Sequence, residues 1–511
     1  YCGAERIGIP VAAMFIFGLA LIPLVQASTG FLLFGGDGWI AALYLFCSGW
    51  AVLWSAHLAG RNAERLVSYL ATGLLVGGLA SCWIVAVQVA GTDIGPLALH
   101  LAGVPTGHAP FGNLGQPNQL ADLLSLSLAG LFVQFERRRV SLQVAIAALV
   151  VFVVALAATQ SRTVLLFFAT SLIWYALLGS RLRFRTTIVS IAVAGVAWGA
   201  AFLCWPSIAA AAGTPVLATT ADRMQAGPRT VIWAQLWDAV WLHPWLGWGW
   251  NQVGVAQIAV AADHPASRMV EHSHNLILDL ALWNGVPIAL VVVAVGGLWL
   301  VRSIPRIRTV EAAAAVLMLG LLLAHSMVEF PLEYLYFLVP FSIALGVVAV
   351  EVNGNAKFAI TPRSGKIALV VFVLVTGYGA LDYWDVEQSY REMRFTVARI
   401  GGPMSTQTPP PLKTQFTQLD AFYRFALTPV GPDIDKRKLE WMKNVAHRYG
   451  YASALYRYGL VQAINGDLPG ARLTFLQLRQ LHGEHSYDEA KAEIDRFSVS
   501  QYPILRNLQL P

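Results

Sequence analysis

The sequence predicts an all-α protein: a polytopic membrane helix bundle of about eleven spans, N-terminus inside and C-terminus outside, with a large outer loop and a small helical C-terminal domain. Three observations predict it. Hydrophobic residues make up 56% of the 511 residues and charged residues 13%, about half the roughly 25% charge of a soluble globular chain. Apolar runs of crossing length recur through the first 384 residues, and a spanning helix needs about 20 such residues. The charges gather at the end: the 127 residues from Asp385 onward hold 16 Lys/Arg and 13 Asp/Glu, against 19 and 16 in all the rest. A soluble enzyme and a disordered chain are excluded. The chain divides into a membrane domain over 1–384 and a water-exposed helical domain over 385–511.

The expected spans are 7–27, 38–58, 66–90, 119–135, 140–159, 163–180, 186–205, 274–301, 310–328, 333–350 and 366–384. The first, around Val11–Val25, reads as a span and not as a cleaved signal, because no clear small-residue cleavage site accompanies it. The positive charges set the orientation. Arg6, Arg61, Arg65, Arg137–Arg139, Arg181, Arg183, Arg185, Arg302, Arg306, Arg308, Lys357, Arg363 and Lys366 all fall on one side. That side is cytoplasmic, and an odd number of spans places 385–511 on the other face. The net charge of +6 is therefore an orientation signal and implies no nucleic-acid partner. The cysteines (Cys2, Cys47, Cys82, Cys204) are scattered in or beside apolar runs, which suggests neither a disulfide framework nor a zinc site.

Four arginines stand on the outer side: Arg162, Arg223, Arg229 and Arg268. Cations kept against the orientation bias are surface charges, partners of Asp222, Asp263 or Glu271, or ligands of an anion on the outer face. Two outer loops stand out. Loop 91–118 has no Lys or Arg and ends Gly112-Asn113-Leu114-Gly115-Gln116-Pro117-Asn118-Gln119. Its amides offer neutral hydrogen bonds suited to sugar hydroxyls; the plainer alternative is a turn with Asn118 as N-cap of the next helix. Loop 206–273 is long for a structureless connection and is expected to fold over the membrane domain. It carries Trp233, Trp237, Trp241, Trp245, Trp248 and Trp250, read as an interfacial aromatic belt or as stacking surface for sugar or lipid.

The C-terminal domain is amphipathic, and one part resembles a tetratricopeptide repeat: Gly459, Ala471 and Phe475 have the relative spacing, with Gly466-Asp467 at the turn. Asp433-Ile434-Asp435 is formally a DxD, but three residues carry almost no specificity.

The densest polar cluster, Glu271-His272-Ser273-His274-Asn275, opens the apolar run from Leu276 and continues through Asp279 to Trp283-Asn284-Gly285-Val286-Pro287. A zinc site lacks its third and fourth ligands. On a helix, rings at i and i+2 would point apart, so one of the two histidines would face a given pocket. The plainer alternative is a helix start capped by Ser273 or Glu271.

Glu271–Pro287 resembles the signature of the bacterial O-antigen ligase superfamily, the Wzy-C type membrane glycosyltransferases. Gly112–Leu120 resembles the N-terminal signature of its PglL-type protein O-oligosaccharyltransferase branch. Ser161-Arg162, and Gly227 to Trp233 followed by His243-Pro244 and Gly247, match the same pattern. The resemblance covers nearly the whole chain. It implies a multi-pass protein of the bacterial inner membrane, with its site and its TPR-like C-terminal domain facing the periplasm. The implied reaction moves a glycan from a polyprenyl-diphosphate-linked oligosaccharide donor to a hydroxyl, without cofactor or metal. Arginines suit the diphosphate leaving group; Arg162 and Arg229 match the pattern, with Arg223 a further candidate. A weak hydroxyl nucleophile needs a positioned base. His274 is that base, since the family has His directly before Asn, with His272 as runner-up. Asn113, Gln116, Asn118 and Asn275 are candidates for holding glycan or acceptor.

The acceptor stays open between a pilin-like protein, the lipid A core and a further repeat unit. The GNLGQPNQL segment and the outer domain favour protein. A transporter would place polar groups mid-span and show internal repeats; here they cluster at outer helix ends, apart from Asp122, Asp279 and His325, which read as bundle-facing structural groups. A scaffold would not need the outer-side arginines or the histidine pair. A chelator is expected to leave transfer unchanged, as measured on purified protein with defined donor. Strong inhibition reversed by added metal would refute the arginine-based reading.

Overall fold

The computed structural model describes residues 6–91, 108–211, 213, 229–353, 358–398 and 408–510. Helix accounts for 78% of the structure. The described residues form two compact units. The first is Tyr1–Ile16, Cys47–Gln225 and Gly296–Gly365; the second is Phe17–Phe46, Ala226–Val295 and Lys366–Pro511.

In chain order the helices are α1 (Val11–Ser28), α2 (Gly35–Ala90), α3 (Pro117–Glu136), α4 (Leu142–Ala158), α5 (Val164–Leu182), α6 (Ile188–Ala211), α7 (Arg229–Leu242), α8 (Val253–Val260), α9 (Leu276–Asn284), α10 (Val286–Ser303), α11 (Val310–His325), α12 (Leu335–Asn353), α13 (Pro362–Val397), α14 (Thr417–Leu427), α15 (Lys436–Tyr449), α16 (Ala452–Ile464) and α17 (Leu468–Ser500). Among the described residues, seven helices are long and apolar enough to cross a membrane: α1, α2, α5, α6, α10, α12 and α13. α4 and α11 are apolar but shorter. α2 holds both runs expected at 38–58 and 66–90. It breaks at Asn62 (φ −160°, ψ 87°), whose Oδ1 accepts from Arg65 N at 2.8 Å and so caps the second half.

Three boundaries differ from the sequence expectation. The first run starts as a strand: β1 (Ile7–Ile9) pairs antiparallel with β2 (Phe358–Ile360). Pro10 follows β1, and a residue before proline is held extended. The run 274–301 is not one span. Gly285 (φ +80°) separates α9 from α10, and a Cβ there would overlap the Trp245 backbone. α13 runs without interruption through Asp385.

In the first unit the core lies among the second half of α2, α3–α6, α11 and α12. Ala312–Ala315 are almost fully buried. Small side chains bring α11 close enough for Trp174 Nε1 to donate to Ala313 O at 2.8 Å. Trp174 also stacks on Phe184 at 5.3 Å, and Phe132 meets both edge-on at 5.0 Å. The Glu311 carboxylate is buried and takes a two-point ion pair from Arg137 (2.6 and 2.5 Å).

In the second unit, α16 and α17 share a core of Leu455, Ala463, Ala471, Phe475 and Leu478, and α15 joins α16 through Met442, Val445, Ala446, Tyr458 and Val461. Gly459 faces the Phe475 ring, so closely that a Cβ would sit 3.0 Å from it. The residues that suggested a repeat thus pack on one another. Asp435 is an N-cap, its Oδ1 accepting from Lys438 N at 2.9 Å, which gives the DxD a structural role. The same unit holds a buried two-point ion pair, Arg448 to Asp37, both bonds 2.6 Å.

His447 on α15 meets Tyr458 edge-on. Burial, and secondarily the Lys443 charge, lower its pKa from 6.5 to about 4. The folded state therefore favours the neutral ring, while the unfolded chain protonates at about 6.5. Its contribution is complete above pH 6.5 and is lost as pH falls toward 4, to about 3 kcal/mol at most. Thermal unfolding across that window is expected to flatten in His447→Gln.

Candidate functional site

The Glu271–Asn275 segment belongs to the second unit and is a loop, not helix. Both histidines precede α9, so the expectation of rings at i and i+2 on one helix does not hold. The N-cap is Asn275: its Oδ1 accepts from Ile277 N and Leu278 N, both at 3.1 Å. Ser273 is instead the loop's buried anchor. Its N–H donates to Asp279 Oδ1 at 2.7 Å, its hydroxyl to Asn275 O at 2.8 Å, and Asn275 N donates back to that hydroxyl at 3.2 Å. Between these two fixed residues His274 is held at φ +57°, a left-handed conformation rare outside glycine and costly enough to need enforcement.

The two histidines differ in setting. His272 is half-buried and meets Trp283 edge-on at 6.4 Å; Trp283 in turn stacks on Trp250 at 4.8 Å. Burial first, and the neighbouring His274 and Arg448 charges second, lower its pKa from 6.5 to about 4. It is neutral at neutral pH.

Arg229 opens α7. Trp233, one turn on, donates from its indole N–H to Ser273 O at 2.8 Å. Residues four apart share a helix face, so Arg229 stands on the face of α7 that meets the histidine loop. The Trp row then divides. Trp233 serves the loop, Trp248 bonds Ala239 O at 2.8 Å and Trp250 is buried. Trp237, Trp241 and Trp245 are 56%, 56% and 75% exposed, beside exposed Leu242 and Leu246. That is the composition of an interfacial surface.

In the first unit a separate polar cluster forms where α3 begins. The Gln88 carboxamide bonds the backbone of the preceding loop, donating to Gly112 O at 2.8 Å and accepting from Gly112 N at 3.0 Å. The N-cap of α3 is Gln116, with Pro117 at the first position; Asn118 is not the cap. Its side chain points into the unit, donating to Glu329 Oε1 at 2.9 Å and accepting from Ser161 Oγ at 2.6 Å. One turn deeper, Asp122 takes the Nδ1–H of His325 at 2.7 Å. Asn118 and Asp122 are thus two rungs of a ladder whose other rail is Glu329 and His325.

The structure brings Asn118 together with Ser161, next to Arg162, and ties Trp233, one turn along α7 from Arg229, to Ser273 between the two histidines. Asn113 is exposed, Gln116 half-buried, and Arg162 exposed with no ion-pair partner among the described residues. Arg268 is likewise exposed. Arg223 and the loop stretch 92–107 lie outside the described residues. Sequence reasoning missed Glu329 and the anchoring by Asp279 and Trp233. Polar residues four apart in apolar runs (Asn118/Asp122 and His325/Glu329) were the available signal. Removing one partner of a buried pair strands the other, at about 3–5 kcal/mol. Asp122→Leu and His325→Leu are each expected to lower the unfolding temperature in detergent, and the double variant by less than their sum.

Several known proteins are similar to this chain. Residues 145–293 match the family model described as O-antigen ligase, spanning Arg162, Arg229 and the histidine loop. Residues 110–132 match that of a protein glycosylation ligase, and 313–495 that of the C-terminal part of a virulence factor membrane-bound polymerase. A general O-oligosaccharyltransferase of Acinetobacter baylyi is 24% identical over 93% of this chain and 84% of its own length. A ComP-specific O-oligosaccharyltransferase of the same organism is 26% identical over 48% of this chain and 45% of its own. No solved structure matches the chain. The chain is a glycosyltransferase-type enzyme whose residues 145–293 match the O-antigen ligase model and which is similar to one O-oligosaccharyltransferase along 93% of its length.

Proposed function

We propose that this protein transfers a glycan en bloc from a polyprenyl (undecaprenyl) diphosphate carrier to a Ser or Thr hydroxyl of a periplasmic protein such as a pilin. The site faces the periplasm from the bacterial inner membrane, and the C-terminal helices lie on that same side. The observation that carries this reading is His274: a non-glycine residue enforced at φ +57° between two anchored neighbours, on a loop tied by Trp233 to the helix that presents Arg229.

In this mechanism the acceptor hydroxyl attacks the anomeric carbon and His274 takes its proton. The bond between that carbon and the diphosphate oxygen breaks, and the polyprenyl diphosphate leaves with the electron pair. A single displacement inverts the anomeric centre. Arg229 and Arg162 donate hydrogen bonds to the diphosphate, where negative charge grows in the transition state; Arg223 is proposed as a further ligand. Burial lowers the pKa of His272 to about 4, which makes it a weak base at neutral pH and supports His274 in that role. Asn275, whose Oδ1 caps α9, is proposed to contact a sugar hydroxyl. Asn113, Gln116 and Asn118 are proposed to hold glycan or acceptor.

The protein acceptor is supported by the 110–132 match and by the names of both relatives. The O-antigen ligase match over 145–293 supports a second reading with the same chemistry and the lipid A core as acceptor. The test offers purified protein a polyprenyl-diphosphate glycan with a pilin-like protein and a lipid A core in separate reactions, and asks by mass spectrometry which gains mass. Gain on protein is expected; gain on lipid alone selects the second reading. His274→Ala is expected to lose about 10²–10⁴-fold in rate while still inserting in the membrane. Arg229→Lys, which gives up paired donation, is expected to lose about 10–100-fold. Normal turnover by either folded variant would refute its role.

A further inference from the structure

The segment that leads into the histidine loop is held by residues about 200 positions later. α17 breaks at Gly483 (φ +81°, ψ 175°). In an unbroken helix the carbonyls of Gln480 and Leu481 would accept from the N–H groups four residues on. Here they accept instead from Ser267 N at 2.7 Å and Met269 N at 3.1 Å. The opposite edge of the same extended segment is served by one buried carboxamide. Gln257 Nε2 donates to Arg268 O at 3.0 Å, and its Oε1 accepts from Val270 N at 2.9 Å. Gln257 Nε2 also meets Gln235 Oε1 at 3.0 Å, which takes the Ser267 hydroxyl at 2.9 Å.

The side chain of Met269 fills a notch made by two glycines. A Cβ on Gly254 would come to 2.5 Å from its terminal methyl, and a Cβ on Gly450 would overlap that methyl and approach the sulfur to 2.7 Å. Gly450 is the left-handed C-cap of α15 (φ +61°). The helix end that supplies the two carbonyls also holds Gly450: His482 Nε2–H donates to Gly450 O at 2.7 Å. Next along, Tyr451 Oη donates to Glu271 Oε1 at 3.3 Å. Ser267, Met269 and Glu271 therefore rest in turn on the C-terminal helices, and His274 follows three residues later.

We infer that the broken end of α17 and the Gly254–Gly450 notch form a template for the histidine loop, in which Met269 is the positioning residue that places His274. The inference rests on the transfer reading above for its kinetic part. The C-terminal helices are then a structural component of the catalytic loop, whatever else they bind.

The test compares the full-length protein with Met269→Ala, Gly450→Ala and the double variant. Two quantities are read: turnover with saturating and limiting donor, and hydrogen exchange of the backbone amides at 267–270. Either single change is expected to lower kcat tenfold or more with donor KM within about twofold, because the base is displaced while donor binding is kept. The 267–270 amides are expected to exchange at least tenfold faster. In the double variant the overlap is removed, so it is expected to recover several-fold over Gly450→Ala, a coupling larger than independent sites show. Should Gly450→Ala fail to fold, Met269→Ala decides by itself. Folded variants with wild-type kcat, or strictly additive effects, would overturn the inference, even if exchange quickens. Absence of transfer by the wild-type protein would refute the transfer reading, and unchanged exchange at 267–270 would then refute the template separately.

Discussion

A backbone N–H or C=O that leaves a helix inside an apolar chain must find another partner, and most of this structure follows from how that is met. Side-chain amides and carboxylates act as substitute backbone. Gln88 closes the loop before α3, and Asn62 restarts α2 after its break. Gln26 receives Trp250 N at 3.0 Å and donates to Trp283 O at 2.9 Å. Gln252 takes Leu33 N at 2.9 Å. Gln257 and Asp279 serve the histidine loop. Apart from the exposed Asn62, each is a fixed-length polar arm that is buried or half-buried, where an unsatisfied group costs more than a satisfied one contributes. The non-helical segments are therefore specified as tightly as the helices.

That arrangement explains what was legible. Apolar runs report helices directly, so nearly every expected run has a helix in it. Caps are less legible, because several polar residues near a helix start compete for one position. Asn118 had the right residue type, but Pro117 takes the first helical position, leaving Gln116 as cap and freeing Asn118 to reach Ser161 and Glu329. The break at Gly285 was hidden because hydrophobicity continues on both sides. What forces it is the approach of the Trp245 backbone, a tertiary fact. The histidine pair was visible as a cluster, while its placement in a loop depends on Ser273 finding Asp279 six residues later.

The outer-side arginines illustrate the same division between composition and geometry. Counting charges singled out Arg162, Arg223, Arg229 and Arg268 together, of which all but Arg223 are among the described residues. The structure separates them: Arg229 shares a helix face with the residue that bonds the histidine loop, whereas Arg162 adjoins the Asn118 cluster and Arg268 lends its carbonyl to Gln257. The tryptophans divide similarly, with a spacing of four that serves the site at one end of α7 and an exposed apolar surface at the other. Periodicity identifies a face; only packing says what the face meets.

The second unit is assembled from both ends of the chain, and this has a consequence for biogenesis. Asp37 waits for Arg448, 411 residues away, and the segment at 267–269 waits for carbonyls at 480 and 481. At roughly 5–20 residues per second of synthesis, the histidine loop is exposed for about 10–40 s before its supports emerge. Most of the first unit's helices have already been made by then. A ribosome that stops early leaves a membrane-inserted chain whose loop has no register. The loop therefore takes its register only once residues 480 and 481 have been made.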